Sequence, residues 1–358
     1  MIAVIFGGKS CEHDVSVITG TQVLGALRKQ NPLPIYIDKE GVWKTGKSLF
    51  DLRLPRDGRL KRVYLRAGER GLYTRSRKIA DIDVAVICCH GHGGEDGCLQ
   101  GLLTLCGIPY TGPNLFASAL CMNKAEFKRV AVAVGIPTLP YATFTRREFN
   151  ENIYDVADRL NAIGYPFIIK PASLGSSIGV GVARTEAELV EKSRVAFAFD
   201  DVVVAEKLLE NFREFNCAGL GDERGLTLSE IEEPIGWKEY LTFEDKYAGG
   251  GKEAVKRRIP ADIPPSLAEE IRDLTKKAFA LFGLSGVVRV DYLYDTAQEK
   301  LYLNEINTIP GSLASYFFRR QGMRGEQFVL KLIELAEHRA KAEARLTYAY
   351  ESPVLKGK

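Results

Sequence analysis

The chain has 358 residues, 46% hydrophobic and 27% charged, with a formal net charge of +3. That length allows two or three domains, and so small a charge argues against a dedicated nucleic-acid binder. No apolar run approaches the ~20 residues that cross a bilayer, so no membrane partner is expected.

The start, Met1-Ile2-Ala3-Val4-Ile5-Phe6, shows no basic n-region or cleavage site and is not expected to be a signal peptide. Ile2 to Phe6 reads instead as a buried parallel strand. It ends at Gly7-Gly8, and an amphipathic helix follows from Val15 to Leu27. The loop between them lacks the third glycine of a dinucleotide fingerprint, which disfavours an NAD-type oxidoreductase. In that loop Glu12 is either a helix N-terminal acid or a grip for a substrate ammonium. Leu33 to Ile37 is a second strand and Ile82 to Cys88 a third. Between them, Arg53 to Lys78 is basic and reads as hairpin-like strands around Gly58, Gly68 and Gly71. Its aromatics are few, Tyr64 and Tyr73, so a solvated insertion is the better reading than a nucleic-acid patch.

After the third strand comes His90-Gly91-His92-Gly93-Gly94-Glu95-Asp96-Gly97, which opens a helix from Gly97 to Cys106. His90 there would orient a carboxylate or phosphate, while Glu95 and Asp96 cap the helix. A further helix fits Leu115 to Cys121. The βαβ pattern predicts a doubly wound sheet with ligands at the carboxyl ends of its strands. The seven cysteines, Cys11, Cys88, Cys89, Cys98, Cys106, Cys121 and Cys217, form no C-x-x-C pair. They read as reduced thiols of a cytoplasmic protein, and zinc lacks its ligand spacing.

The middle third opens with a helix from Lys124 to Val134, stopped by Gly135-Ile136-Pro137. Strands are expected over Thr138 to Phe144, Phe167 to Ala172 and Val202 to Leu209, and helices over Ile153 to Ile163 and Glu186 to Phe199. Lys170 ends a strand and is followed by Ala172-Ser173-Leu174-Gly175-Ser176-Ser177-Ile178-Gly179. Small residues let a backbone approach phosphates, and the lysine adds a point charge. The spacing is not that of a Walker loop, and a surface hairpin is the alternative.

In the last third, a strand over Glu214 to Leu220 precedes a polar stretch from Lys238 to Ile259 and a helix from Ser266 to Phe282. A final charged helix spans Gln327 to Ala344. Between those helices lie two strands, Gly286 to Asp295 and Lys300 to Asn307, joined by the polar turn Thr296 to Glu299. Strand side chains alternate faces. Pairing Leu293 with Leu303 places Asp291 opposite Glu305 and Arg289 opposite Asn307, and turns Val288, Val290, Tyr292 and Ile306 to a core. Two carboxylates, an amide oxygen and a guanidinium then share one patch. Such oxygen ligands suit magnesium on nucleotide phosphates, and the arginine suits a developing anion. A solvated face with one salt bridge is the alternative, and Pro310-Gly311 closing the strand end favours a built loop.

Together these segments resemble the D-alanine–D-alanine ligases of the ATP-grasp superfamily. The resemblance runs through nearly the whole chain, from Phe6-Gly7-Gly8-Lys9 to Pro310-Gly311. It implies an α/β ATP-grasp fold of three α/β domains: residues 1–121 with the doubly wound sheet, 122–212, and 213–358 with a lid loop over 241–258. It implies ATP contacts from Lys124, Lys170 and Ser177, an adenine pocket from Glu206, Lys207 and Leu209, and a ribose contact from Glu214. Asp291, Glu305 and Asn307 would hold two magnesium or manganese ions. Arg289 and the backbone of Gly311 would stabilise an oxyanion. Glu12 would bind the first D-alanine's ammonium with His90 near its carboxylate. Glu12, Ser176 and Tyr247 would tie the lid to the substrate. A cytoplasmic homodimer acting on small molecules in peptidoglycan synthesis is implied.

One segment departs from the family. After Gly311 the chain reads Ser312-Leu313-Ala314-Ser315-Tyr316-Phe317-Phe318, with Ser315 one position early for the serine of the second-substrate site. This leaves D-serine, D-lactate or another amine open as acceptor, while Tyr247 favours D-alanine. Glu206 to Glu214 is also one residue longer than usual in the family.

Overall fold

The computed structural model describes residues 1–50, 60–235, 256–352 and 354. The first third contains β1 (Ile2–Gly7), α1 (His13–Ala26), β2 (Leu33–Ile37), β3 (Trp43–Thr45), β4 (Lys61–Arg62), β5 (Tyr64–Arg66), β6 (Glu69–Tyr73), β7 (Lys78–Asp81), β8 (Val84–Ile87), α2 (Cys98–Leu105) and α3 (Leu115–Met122). Its main sheet has the order β4-β3-β2-β1-β8. β1 pairs in parallel with β2 and β8, and the outer strands β3 and β4 are antiparallel. The inner runs are apolar because a parallel strand is covered on both faces. Of the basic stretch, residues 53–59 with Gly58 lie outside the described residues, and β4 joins the main sheet; β5-β6-β7 form a separate antiparallel sheet, with the expected hairpin around Gly68 and with Gly71 inside β6.

The middle third contains α4 (Lys124–Ala133), β9 (Tyr141–Thr145), α5 (Arg146–Glu151), α6 (Ile153–Asn161), β10 (Phe167–Pro171), β11 (Gly181–Ala183), α7 (Glu186–Ala196) and β12 (Val202–Lys207). The sheet order is β11-β10-β12-β9, antiparallel throughout. Two elements were not expected. α5 is a short helix set by a capping box between Thr145 and Glu148. β11 is a three-residue edge strand whose sequence carries no alternation to read.

The last third contains β13 (Phe212–Asp222), β14 (Gly225–Leu228), β15 (Glu233–Ile235), β16 (Lys256–Arg258), α8 (Pro265–Phe282), β17 (Gly286–Asp295), β18 (Lys300–Asn307), α9 (Ser315–Arg320) and α10 (Gly325–Glu343). Its sheet runs β14-β13-β17-β18. In the β17–β18 hairpin Asp291 faces Glu305 and Arg289 faces Asn307, as expected. The expected pairing of Leu293 with Leu303 is corrected: Tyr292 faces Leu303, and the register shifts after Asp291. Asn304 is the extra residue. A bulge of this kind re-aims a side chain, and Asn304 accepts a bond from Lys170 at 3.4 Å.

Three large cores and one small cluster of Ala125, Ala172 and Val204 lie among the described residues. Phe144, Leu160, Phe167, Ile169 and Val203 fill that of the central sheet. Phe127, Phe215, Phe279, Val290 and Tyr292 fill a second, beneath β13 and β17. The third joins the first sheet to the end of the chain, since Ile5 and Val86 share it with Val287, Phe318, Phe328 and Leu332. Arg339 bridges the same seam. It donates to the carbonyls of Tyr110 (2.7 Å) and Gly112 and to Ser285 Oγ (3.0 Å).

At that seam Gly286 has φ +82°, and a Cβ there would lie 2.9 Å from Gly112 Cα. Gly286→Ala therefore meets both a left-handed backbone and an immovable neighbour. It is expected to cost about 2–4 kcal/mol, read as a lowered thermal midpoint, and an unchanged midpoint would show that the seam yields.

Candidate active site

The carboxyl ends of β1 and β8, the underside of β10 and β12 and one face of β17–β18 enclose a cavity of about 470 Å³. Glu12, His90, Lys124, Lys170, Ser176, Ser177, Glu206, Lys207, Leu209, Glu214, Arg289, Asp291, Glu305, Asn307 and Gly311 all line it. Tyr247 and residues 241–255 of the expected lid lie outside the described residues. Ser315 begins α9 and is not among the lining residues; Ser312 and Tyr316 are.

Glu206, at the end of β12, is fully buried between two lysines. Lys170 Nζ donates to its Oε2 at 3.0 Å, and Lys128 Nζ stands 3.3 Å from its Oε1. Burial works against the Glu206 charge, yet the two cations prevail and hold its carboxyl below the usual range. Burial pushes the Lys128 ammonium down from its ordinary value. Two cations around one anion leave a positive excess, a ready place for phosphate. Lys124 donates to Leu174 O at 2.7 Å and stands 3.9 Å from Glu305 Oε2. Lys207 is spent on the carbonyls of Gly164 (2.9 Å) and Tyr165 (2.7 Å).

On β17, Arg289 makes a bidentate pair with Asp291, both bonds 2.7 Å. Asn307 Nδ2 donates to Asp291 Oδ2 at 2.9 Å. The cluster of Asp291, Glu305 and Asn307 is thus an all-oxygen donor set, the kind that magnesium and manganese take. Seven acidic and five basic side chains line the cavity. A polyphosphate entering such a wall needs additional positive charge, so the residues fit a divalent cation.

Across the cavity, Glu12 precedes α1 but does not cap it. Its side chain instead accepts a bond from the Ser176 hydroxyl, which joins the loop between β1 and α1 to the Gly/Ser loop. Ser176 and Ser177 have φ of +54° and +56°.

The loop after β8 is corrected in detail. Asp96 caps α2, accepting from Cys98 N at 3.1 Å, but Glu95 does not. Glu95 accepts from Gly91 N at 2.8 Å and Ile309 N at 3.0 Å, and so stitches the loop to the Pro310-Gly311 turn. Burial and the Glu12 carboxylate push its carboxyl up to about 8. His90 has both ring nitrogens engaged. Nδ1 meets Ile309 O at 2.7 Å and Nε2 meets Thr19 Oγ1 at 2.8 Å, while Ser312 N donates to the same Thr19 oxygen at 3.1 Å. Ile309 O can only accept, so Nδ1 carries the ring proton; His90 is the neutral Nδ1–H tautomer, and its Nε2 accepts from the Thr19 hydroxyl. The turn it helps hold has three consecutive left-handed residues, Ser312, Leu313 and Ala314, at φ +52°, +51° and +49°.

A family profile described as "D-ala D-ala ligase N-terminus" matches residues 1–113, and one described as "D-ala D-ala ligase C-terminus" matches residues 130–334. The D-alanine–D-alanine ligase of Thermosipho africanus (strain TCF52B) is 34% identical over 361 residues, covering 98% of this chain and 97% of that one. That of Thermosipho melanesiensis is 36% identical, covering 95% and 94%. The chain belongs to the D-alanine–D-alanine ligase family. Among solved structures, the Coxiella burnetii D-alanine–D-alanine ligase superposes with a TM-score of 0.82 at 28% identity, covering 96% of this chain and 95% of that one. The VanG D-Ala:D-Ser ligase of Enterococcus faecalis gives 0.79 at 29%, covering 94% and 98%. The ATP-grasp α/β fold expected from the resemblance is thereby borne out.

Several residues at the family's cavity were missed by sequence reasoning. Lys128 stands behind Glu206 and does not itself line the cavity; it lies in an amphipathic helix and reads as a surface lysine. Asn304 reaches the cavity through the bulge. Asn216, Glu232, Arg257 and Tyr316 line it from separate elements. Only Lys128 carried a signal, the Lys124-x-x-x-Lys128 spacing that puts both on one helix face.

His90 gives a pH prediction. Burial pushes its imidazole from the ordinary 6.5 down to about 4. Between those values the unfolded chain binds a proton that the folded chain refuses. Stability therefore rises with pH across that window and is lost on acidification, by up to about 3 kcal/mol for the full shift. Denaturant midpoints from pH 6.5 to 4.5 are expected to fall less steeply in His90→Gln than in the wild type; equal slopes would assign the loss to other groups.

Proposed function

We propose that the protein joins two D-alanine molecules to D-alanyl-D-alanine at the expense of ATP, as its relatives' names state for them. The observation that carries this reading is the meeting, in one cavity, of Glu12 and Ser176 with the lysines at Glu206 and the Arg289–Asp291–Glu305–Asn307 patch. One end suits an ammonium and the other a nucleotide polyphosphate.

A carboxylate resists attack by an amine at neutral pH. Transfer of the γ-phosphoryl group to a D-alanine carboxylate oxygen gives an acylphosphate and ADP. The second amine then adds to the acyl carbon, loses its proton, and phosphate leaves as the amide forms. In this scheme Glu12 holds the first ammonium, and Ser176 ties it to the loop. Lys124, Lys170 and Ser177 receive phosphate oxygens, and Glu206, Lys207, Leu209 and Glu214 receive the nucleoside. Arg289 and the Gly311 N–H face the oxyanion. His90 acts through Ile309 and Thr19, keeping Gly311 in place rather than touching substrate. Asp291, Glu305 and Asn307 would hold magnesium or manganese, which offsets phosphate charge when bound. Tyr247 would close the cavity against water. Domain limits at 121 and 212, a cytoplasmic location, a homodimer and a place in peptidoglycan precursor synthesis belong to the same reading.

A second reading keeps the chemistry and changes the acceptor to D-serine or D-lactate. It rests on the Ser312–Tyr316 wall and the likeness to a D-Ala:D-Ser ligase. Product mass from D-alanine and Mg-ATP, alone and with D-serine or D-lactate, decides. D-alanyl-D-alanine from D-alanine alone is the expected product, and a mixed product only would transfer the case to the second reading.

Glu305→Gln removes one ligand charge from a half-buried position. Turnover is expected to fall at least about 100-fold with circular dichroism and thermal midpoint nearly unchanged. Wild-type turnover in that variant would sink the metal assignment.

A further inference from the structure

The wall beyond Gly311 contains a charged group that no expectation covered. Glu232 precedes β15 and is 2% exposed. Its Oε2 accepts from Tyr316 Oη at 2.8 Å and from Asn216 Nδ2 at 3.3 Å. Its Oε1 stands 3.3 Å from Arg257 Nη1 on β16. The Arg257 guanidinium lies over the Tyr316 ring at 4.8 Å. All four side chains line the cavity, and Tyr316 and Glu232 lie near enough to Arg289 for their charges to act on it.

The other cations among the described lining residues have assigned roles. Lys124, Lys170 and Lys207 serve the phosphate and nucleoside side, and Arg289 gives its Nε–Nη2 edge to Asp291 and is assigned to the oxyanion. Arg257 is different. It is half-exposed, and it meets Glu232 through one nitrogen. A guanidinium carries five N–H donors in a planar fork and takes carboxylates bidentately. It can hold Glu232 with one edge and a second carboxylate with the other.

We propose that Arg257, oriented by Glu232 and the Tyr316 ring, binds the carboxylate of the acceptor amino acid. This inference rests on the ligase reading above and adds the acceptor subsite to it. An α-amino acid carries its carboxylate next to the attacking amine, so the cation that reads it must flank the oxyanion group. Arg257 flanks Arg289 through Glu232 and Tyr316. The wall also accounts for the departure after Gly311: Tyr316 supports the cation, and a serine at 315 is not needed at the cavity. The acceptor class is a small D-amino acid or hydroxy acid with a free carboxylate.

D-alaninamide tests this. It has no carboxylate to phosphorylate, so it enters only as acceptor. Wild type, Arg257→Gln and Arg257→Lys are each given Mg-ATP with equal D-alanine and D-alaninamide, and both products are weighed by mass spectrometry. Wild type is expected to favour D-alanyl-D-alanine over D-alanyl-D-alaninamide by about 100-fold. That preference is expected to fall about tenfold or more in Arg257→Gln, since the fork of charge-assisted bonds is gone. Arg257→Lys is expected to fall between them, and it carries the test if the glutamine variant forms no product. An unchanged product ratio, whatever the rate, overturns the assignment, because a merely structural arginine would slow both products alike. Absence of both products in the wild type instead overturns the ligase reading itself.

Discussion

The two-residue period of β17 fixes the active site. Val288, Val290 and Tyr292 drop into the core, so Arg289 and Asp291 have one direction left, toward the cavity. The flanking strands lock this choice. β13 pairs with β17 along its whole length, and β18 supplies Glu305 and Asn307 at matching positions. A slip of one residue would bury a guanidinium and expose a tyrosine. Burial of the apolar face thus specifies the position of the polar one, and the Arg289–Asp291 pair needs no separate device to place it.

Charge inside the molecule is handled in three ways. Glu206 stays ionised because two lysines outweigh the cost of its burial. His90 avoids the cost by staying neutral, with Thr19 and Ile309 satisfying both ring nitrogens. Glu95 carries two backbone N–H bonds and is still pushed toward its neutral form by burial and Glu12. Each solution also joins elements distant in sequence. Glu95 and His90 fasten the first sheet to the Ile309–Ser312 turn, and Lys170 fastens the central sheet to Asn304 on β18. Polar bonds of this kind are expensive to leave unmade, which makes them effective at holding a cavity assembled from separate pieces.

Much of this was legible in the sequence. Alternation along Gly286 to Asn307 identified the facing acids, because a strand buried on one face writes its geometry into residue types. The strand–loop–helix pattern placed Glu12 and His90 at the carboxyl end of a sheet. Other features were not legible. The bulge at Asn304 leaves alternation intact on either side, so the Leu293–Leu303 pairing looked natural. His90 read as a group orienting a substrate carboxylate or phosphate because its partners, Thr19 and Ile309, lie far away in the chain. Ser315 was chosen by its position relative to Gly311, but three left-handed residues turn the chain so that Ser312 and Tyr316 face the cavity. Glu232 and Arg257 sit in polar sequence with no period, and only their pairing across β15 and β16 brings them together.

The core that joins the first sheet to α10 bears on how the chain is made. A ribosome delivers β1, β2 and β8 early and Phe328 and Leu332 near the end, yet all belong to one apolar cluster. The central sheet closes its own core with residues between 142 and 205. It is therefore the segment equipped to settle first during synthesis. The N-terminal sheet must wait with its back face uncovered until the last helix emerges, and that interval is when a nascent chain of this architecture has most need of a chaperone.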